Sequence, residues 1–143
     1  MPPRQSPATV ADTVNFDQYD TDAINRQDKA HLLHPWQVFD SFAEDGALPI
    51  AAAEGLHIYD SDGKKYLDAV GGLWCTNIGL GREEMAEAIA DQVRQMAYAS
   101  PFVDMTNIPA ATLAAKLAEL APGDLDHVAF SCGGSTAIDT AFR

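Results

Sequence analysis

Two stretches of the chain carry a clear helical period. In residues 83–97, Met85, Ile89, Val93 and Met96 recur on one face, with Glu83 and Glu84 in the first turn, where the helix dipole favours acid. In residues 109–121, Leu113, Leu117 and Leu120 form the apolar stripe; Pro109 suits a first-turn position and Pro122-Gly123 ends the helix. A shorter helix is expected over 23–33, and Pro35 interrupts it. Trp36, Phe39 and Phe42 then follow at roughly helical spacing. These aromatics read first as packing groups, with Trp36 and Phe39 as candidates for bordering a pocket.

Shorter periods predict strands. Residues 48–53 suit one strand, and 56–60 and 64–69 flank Ser61-Asp62-Gly63, a strong hairpin signal. Residues 71–81 hold four glycines, too many for a core strand, and read as a loop with Trp74 in its middle. As a structural group Trp74 would plug the hairpin. Residues 98–107 form a second loop carrying Tyr98 and Phe102, and residues 1–18 have no periodic pattern and read as a mobile arm.

The end of the chain, VAFSCGGSTAIDTAFR, has a different order: a β-prone run at 128–131, the pair Gly133-Gly134, then a helix over 135–143. Such a bend can hold an anion. The first amides of a helix lack intrahelical partners and carry partial positive charge. Glycine leaves room for close approach, and Ser135 and Thr136 add hydroxyl donors. The lysine of a P-loop and the third glycine of a dinucleotide fingerprint are missing, so the same residues equally fit a tight turn with Ser135 as helix N-cap.

Composition narrows the choices. A length of 143 residues with 47% hydrophobic content suits one packed domain. A net charge of -12, with 9 scattered basic residues, disfavours nucleic acid and anionic membranes as partners. No apolar run reaches membrane-span length, and residues 1–15 lack the apolar segment of a secretory signal. Cys75 and Cys132 form no CxxC or disulfide framework, and His31 and His34 lack further ligands for a metal. A soluble cytoplasmic protein is the expectation. One strand and one crossover helix cannot bury both faces of a parallel sheet, so an N-terminal fragment of a larger α/β protein is expected.

Several stretches together resemble class III pyridoxal-phosphate aminotransferases of the ω-transaminase branch. They are HLLHPW (31–36), GLHIYDSDGKKYLDAVGGLWCTNIGLGR (55–82), ELAPGDLDHVAFS (119–131) and GGSTAIDTAFR (133–143), in that family's order. The resemblance implies a fold-type-I α/β transferase, a homodimer with active sites at the subunit interface. With residues 1–18 as the N-terminal arm, it assigns 19–80 to the N-terminal segment of the small domain and 81–143 to the start of the large, cofactor-binding domain.

The resemblance also supplies a ligand and its holders. It places the phosphate of pyridoxal 5'-phosphate on Gly133, Gly134, Ser135 and Thr136, where relatives read Ser-Gly-Ser at the first three positions. Gly133 departs from that pattern, and Thr136 stands where an acid is common. The substrate wall would comprise Trp74, Leu73 and Phe102. The activity implied is transfer of an amino group from an ω-amino acid or amine to pyruvate or a similar keto acid. The catalytic lysine would lie downstream, since none of Lys29, Lys64, Lys65 and Lys116 sits in a comparable context. A non-catalytic binding or dimerisation piece, and another chemistry on the same cofactor such as an aminomutase, are the alternatives.

Overall fold

A computed structural model describes residues 9–101 and 103–143. The chain divides into two compact units, Met1–Ile89 and Ala90–Arg143.

The first unit is built on a three-stranded antiparallel sheet in the order β1 (Ile50–Glu54), β2 (His57–Asp60), β3 (Lys65–Leu67). Strand β1 starts and ends later than the alternation suggests, because its alanines give little periodic signal. Its register with β2 shifts between Ile50 and Ala52. The β2–β3 hairpin turns where the sequence predicts. The Asp60 carboxylate closes it, accepting bonds from the amides of Asp62 (3.0 Å) and Lys64 (2.8 Å) and from the Tyr66 hydroxyl (2.7 Å). The Tyr66 hydrogen bond is the main reason that the Asp60 carboxyl sits below its usual range, and the same bond lifts the Tyr66 phenol.

Side-chain bonds tie the start of one helix to this hairpin and that helix to the one after it. Asp20 caps α2 (Thr21–His31) through the Ala23 amide at 2.8 Å. Thr21 Oγ1 lies 2.7 Å from Ser61 Oγ and donates to Asp62 at 2.8 Å, tying the helix start to the turn. Lys29 Nζ donates to the carbonyls of Ala43 and Glu44, the last turn of α3 (Phe39–Asp45). His34 bonds Asp28 at 2.9 Å and lies 5.3 Å from the Phe42 ring. Trp36 precedes α3 in a positive-φ turn and is 89% exposed.

The described part of the stretch read as an arm, residues 9–18, forms α1 (Val10–Thr13) and a 3-10 turn (Phe16–Gln18). Asp12 accepts from both the amide and the hydroxyl of Thr9, and the Phe16 ring sits 6.2 Å from Tyr59. Local capping and one aromatic anchor replace the periodicity that the sequence lacks. Among described residues Tyr59 is the one buried hydrophobic side chain, with Asp60 and Ser61 beside it.

Residues 71–81 leave and rejoin the sheet at adjacent points. The Asp68 amide donates to Leu56 O at 2.9 Å, while Gly55 and Leu80 exchange amide bonds of 2.8 and 2.9 Å. At Gly81 an added Cβ would stand 3.1 Å from Ala53 O, so this return along β1 requires glycine. Within the loop lies the short segment α4 (Gly71–Trp74).

Helix α5 (Glu83–Gln95) carries the predicted stripe, and the division between the two units falls within it. In the second unit, α6 (Ile108–Leu120) starts on Asn107, whose side chain accepts the Ala110 amide at 2.9 Å. It ends at Ala121, held extended by the following Pro122. Residues 128–131 do not form the strand expected of them. A β-prone run needs a neighbouring strand to complete its ladder, and no described segment pairs with it. Helix α7 (Gly134–Ala141) follows.

Candidate functional site

The start of α7 is a bend without a side-chain cap. Gly133, not Ser135, is the N-cap residue, in extended backbone (φ 176°), and no side chain bonds the first-turn amides. The first internal bond runs from Ala137 N to Gly133 O at 2.9 Å, leaving the amides of Gly134, Ser135 and Thr136 without helical acceptors. A Cβ built on Gly134 meets nothing within 4 Å, and one on Gly133 meets only Thr136 Oγ1 at 4.0 Å. No acid occupies the first turn. An anion therefore meets open space, uncapped amides and the positive end of the helix dipole together.

The two hydroxyls differ. Ser135 Oγ makes no bond to any described residue and can donate outward. Thr136 Oγ1 instead donates to Gly133 O at 2.7 Å, so its proton serves the turn and its contribution to an anion is the backbone amide. Ser131 Oγ adds a bond to the same carbonyl at 3.2 Å and helps fix the bend, a role that its place before the glycines does not reveal in sequence.

Leu73 and Trp74 occupy the second feature. Gly71, Gly72, Leu73 and Trp74 all have positive φ, at 61°, 57°, 60° and 66°. Trp74 N donates to Val70 O and Cys75 N to Gly71 O, at 3.1 and 2.9 Å. The spacing is helical and the hand is left, which costs about 1–2 kcal/mol for each L-residue. Glycine meets that demand in the first half of the turn; Leu73 and Trp74 do not. Such strain persists where surrounding bonds over-determine it. Here Gly72 N donates to Asp68 Oδ2 at 2.8 Å and Gly71 N to Asp68 O at 3.3 Å. Trp74 is left 77% exposed at the loop tip.

The structure thus groups Gly133, Gly134, Ser135 and Thr136 in one bend of the second unit, and Leu73 with Trp74 in one turn of the first. Phe102 lies outside the described residues. Sequence reasoning missed Asp68; an acid four residues before the second glycine of a pair was its only signal.

Each of the chain's lysines is engaged elsewhere. Lys29 caps α3, Lys116 pairs with Glu119 at 2.6 Å, and Lys64 and Lys65 lie over the rings of Tyr66 and Tyr59, at 5.0 and 5.7 Å.

Comparison with known proteins supplies the context for these features. The putrescine–pyruvate aminotransferase of Pseudomonas aeruginosa is 42% identical over 113 residues, 79% of this chain and 25% of that protein. Among solved structures, an (S)-enantioselective ω-transaminase from Thermomicrobium roseum superposes with a TM-score of 0.82 at 40% identity, over 86% of this chain and 28% of that one. The ω-transaminase of Pseudomonas jessenii, solved in complex with PMP, superposes with a TM-score of 0.78 at 32% identity, over 82% and 26%. The chain spans about a quarter of the length of such relatives. The family model described as aminotransferase class-III matches residues 41–143. Its members are pyridoxal-phosphate-dependent enzymes of fold type I, and this chain belongs to the class III aminotransferases.

Proposed function

We propose that this chain is the N-terminal portion of an aminotransferase that moves an amino group from an ω-amino acid or amine to pyruvate or a similar keto acid. The observation that carries the reading is the uncapped first turn of α7, with Ser135 Oγ free to donate, in a chain of the class III family. The bend fits a phosphate monoester. Three adjacent amides without helical acceptors and one unbonded hydroxyl lie at a bend where a Cβ on either glycine would meet nothing closer than 4.0 Å. Gly134, Ser135 and Thr136 would offer their amides, and Ser135 its hydroxyl; Gly133 keeps the approach open. Pyridoxal 5'-phosphate, held there, supplies the conjugated ring that accepts an electron pair during amino transfer.

The chain's own residues bind and orient. Direct hydrogen bonds to a charged group contribute about 1.5–3 kcal/mol each, against about 0.3–1 kcal/mol for the dipole at an exposed site, so the donors decide affinity. Leu73 and Trp74 present an apolar wall to an amine, with Phe102 as its third expected member. The lysines of residues 1–143 all serve local structure, so the proton-shuttling lysine of this reading is supplied from outside them. Residues 19–80 form the small-domain segment in this reading and 81–143 the start of the large domain. The assembly is a homodimer, and its setting is the cytoplasm. Among the described residues no helix is long and apolar enough to cross a membrane.

The test is reconstitution of the enzyme that carries this chain. Bound pyridoxal phosphate gives visible absorption, and pyruvate plus an ω-amine gives alanine. A protein that stays colourless with excess cofactor overturns the reading.

A further inference from the structure

The left-handed turn at Gly71–Trp74 and the carboxylate beside it have no part in the phosphate bend, yet the turn sets where Trp74 points. Two bulky L-residues stand at φ 60° and 66°, a conformation they do not adopt unaided. What holds them is asymmetric. Downstream, the amides of Cys75 and Thr76 both reach Gly71 O, at 2.9 and 3.2 Å. Upstream, the one side chain bonded to the turn is Asp68, whose Oδ2 accepts the Gly72 amide at 2.8 Å and whose own amide is fastened to Leu56 O beside the sheet. Asp68 therefore links the rigid hairpin to the strained turn, and the turn carries Trp74.

The Asp68 side chain acts beside the backbone bonds to Val70 O, Gly71 O and Asp68 O. An added Cβ at Gly71 would meet Thr76 Oγ1 at 3.3 Å, and one at Gly72 would meet Thr76 Cγ2 at 3.1 Å, so Thr76 closes tightly on the glycines without bonding their amides. The Gly72 amide meets the Asp68 carboxylate at 2.8 Å while Gly71, Leu73 and Trp74 around it all have positive φ.

We propose that Asp68 is a positioning residue for Trp74, acting through the left-handed turn; this rests on the reading of Trp74 as part of the amine-binding wall. Loss of the Asp68 acceptor frees Leu73 and Trp74 to return toward ordinary backbone, and the indole leaves its place. Affinity for the amine then falls, while the reacting atoms, which Asp68 does not touch, keep their groups.

Two measurements test this, and one does not depend on activity. In the full-length enzyme with every tryptophan except Trp74 replaced by phenylalanine, time-resolved fluorescence anisotropy of Trp74 reports local motion of the indole. Asp68→Ala is expected to enlarge the fast component, and Asp68→Asn, which keeps an acceptor oxygen, to restore the parent decay. In the cofactor-loaded enzyme, Asp68→Ala is expected to raise KM for the amine about tenfold, the upper range for one lost hydrogen bond, with kcat and the bound-cofactor spectrum unchanged and Asp68→Asn again restoring the parent value. If Asp68→Ala does not fold, Asp68→Glu, which moves the carboxylate outward by one methylene, is expected to show the same changes in smaller measure. An unchanged Trp74 decay overturns the proposal, as does an equal loss of kcat and kcat/KM that asparagine fails to rescue. An altered decay in a protein that binds no cofactor upholds the role of Asp68 and removes the aminotransferase reading instead.

Discussion

At Ser135 the hydroxyl makes no bond to any described residue, so its removal takes nothing from the fold. Ser135→Ala is expected to weaken pyridoxal phosphate binding by about 1.5–3 kcal/mol in a cofactor titration followed by absorbance, with the unfolding midpoint unmoved. An equal loss of affinity and stability would return Ser135 to a structural role. Asp60 works in the opposite way, through the fold alone. Its carboxyl is held low chiefly by the Tyr66 hydroxyl, so its stabilising effect is present above the ordinary value of 3.8 and disappears as pH falls through the lower folded value. Tyr66→Phe removes that hydrogen bond and brings the Asp60 titration back up. Acid opening of the hairpin is then expected at higher pH, measured by NMR titration of the Asp60 carboxyl.

Among the elements, what could be read from residues depended on where the determining forces lie. Helices α2, α5 and α6 fall within two residues of the periods that predict them, since a 3.6-residue stripe and its caps are written locally. The β2–β3 hairpin is equally local, with Asp60 at the end of β2 and Asp62 and Gly63 in the turn that follows. Residues 128–131 failed as a strand because a ladder depends on a neighbour that no local pattern supplies. At the candidate site, the glycine pair and Ser135 were visible, but that Gly133 takes the N-cap and Thr136 turns its hydroxyl inward was not. Both depend on where the helix begins, and a shift of one or two residues changes every role. The hand of the turn at 71–74 was hidden for a related reason: clustered glycines announce a bend without saying which way it winds. Gly72→Ala tests that hand. Alanine at φ 57°, crowded by Thr76, is expected to cost about 1–2 kcal/mol, read from urea unfolding of the hairpin unit. A neutral outcome would mean that the turn is not left-handed in solution.

Across the molecule, the apolar stripes of the helices stay open: Met85, Ile89 and Val93 on α5, and Leu113, Leu117 and Leu120 on α6, are exposed. Exposed apolar stripes of this kind mark surfaces that another protein segment covers. The isolated chain is expected to self-associate in sedimentation experiments and still to bind a hydrophobic dye such as ANS when associated. A sharp monomer that binds no dye would contradict this.

The two feet of the 69–79 loop rest on neighbouring residues, Gly55 and Leu56. Because departure and return share one anchorage, the stretch between them behaves as an exchangeable cassette. Lengthening or shortening it re-aims the indole at its crest without moving a single rung of the sheet below. Doubling such a loop adds only about 0.6 kcal/mol of closure entropy. On the proposed reading of Trp74 as part of an amine-binding wall, variation in amine preference can thus accumulate at this crest while the hairpin beneath stays as it is.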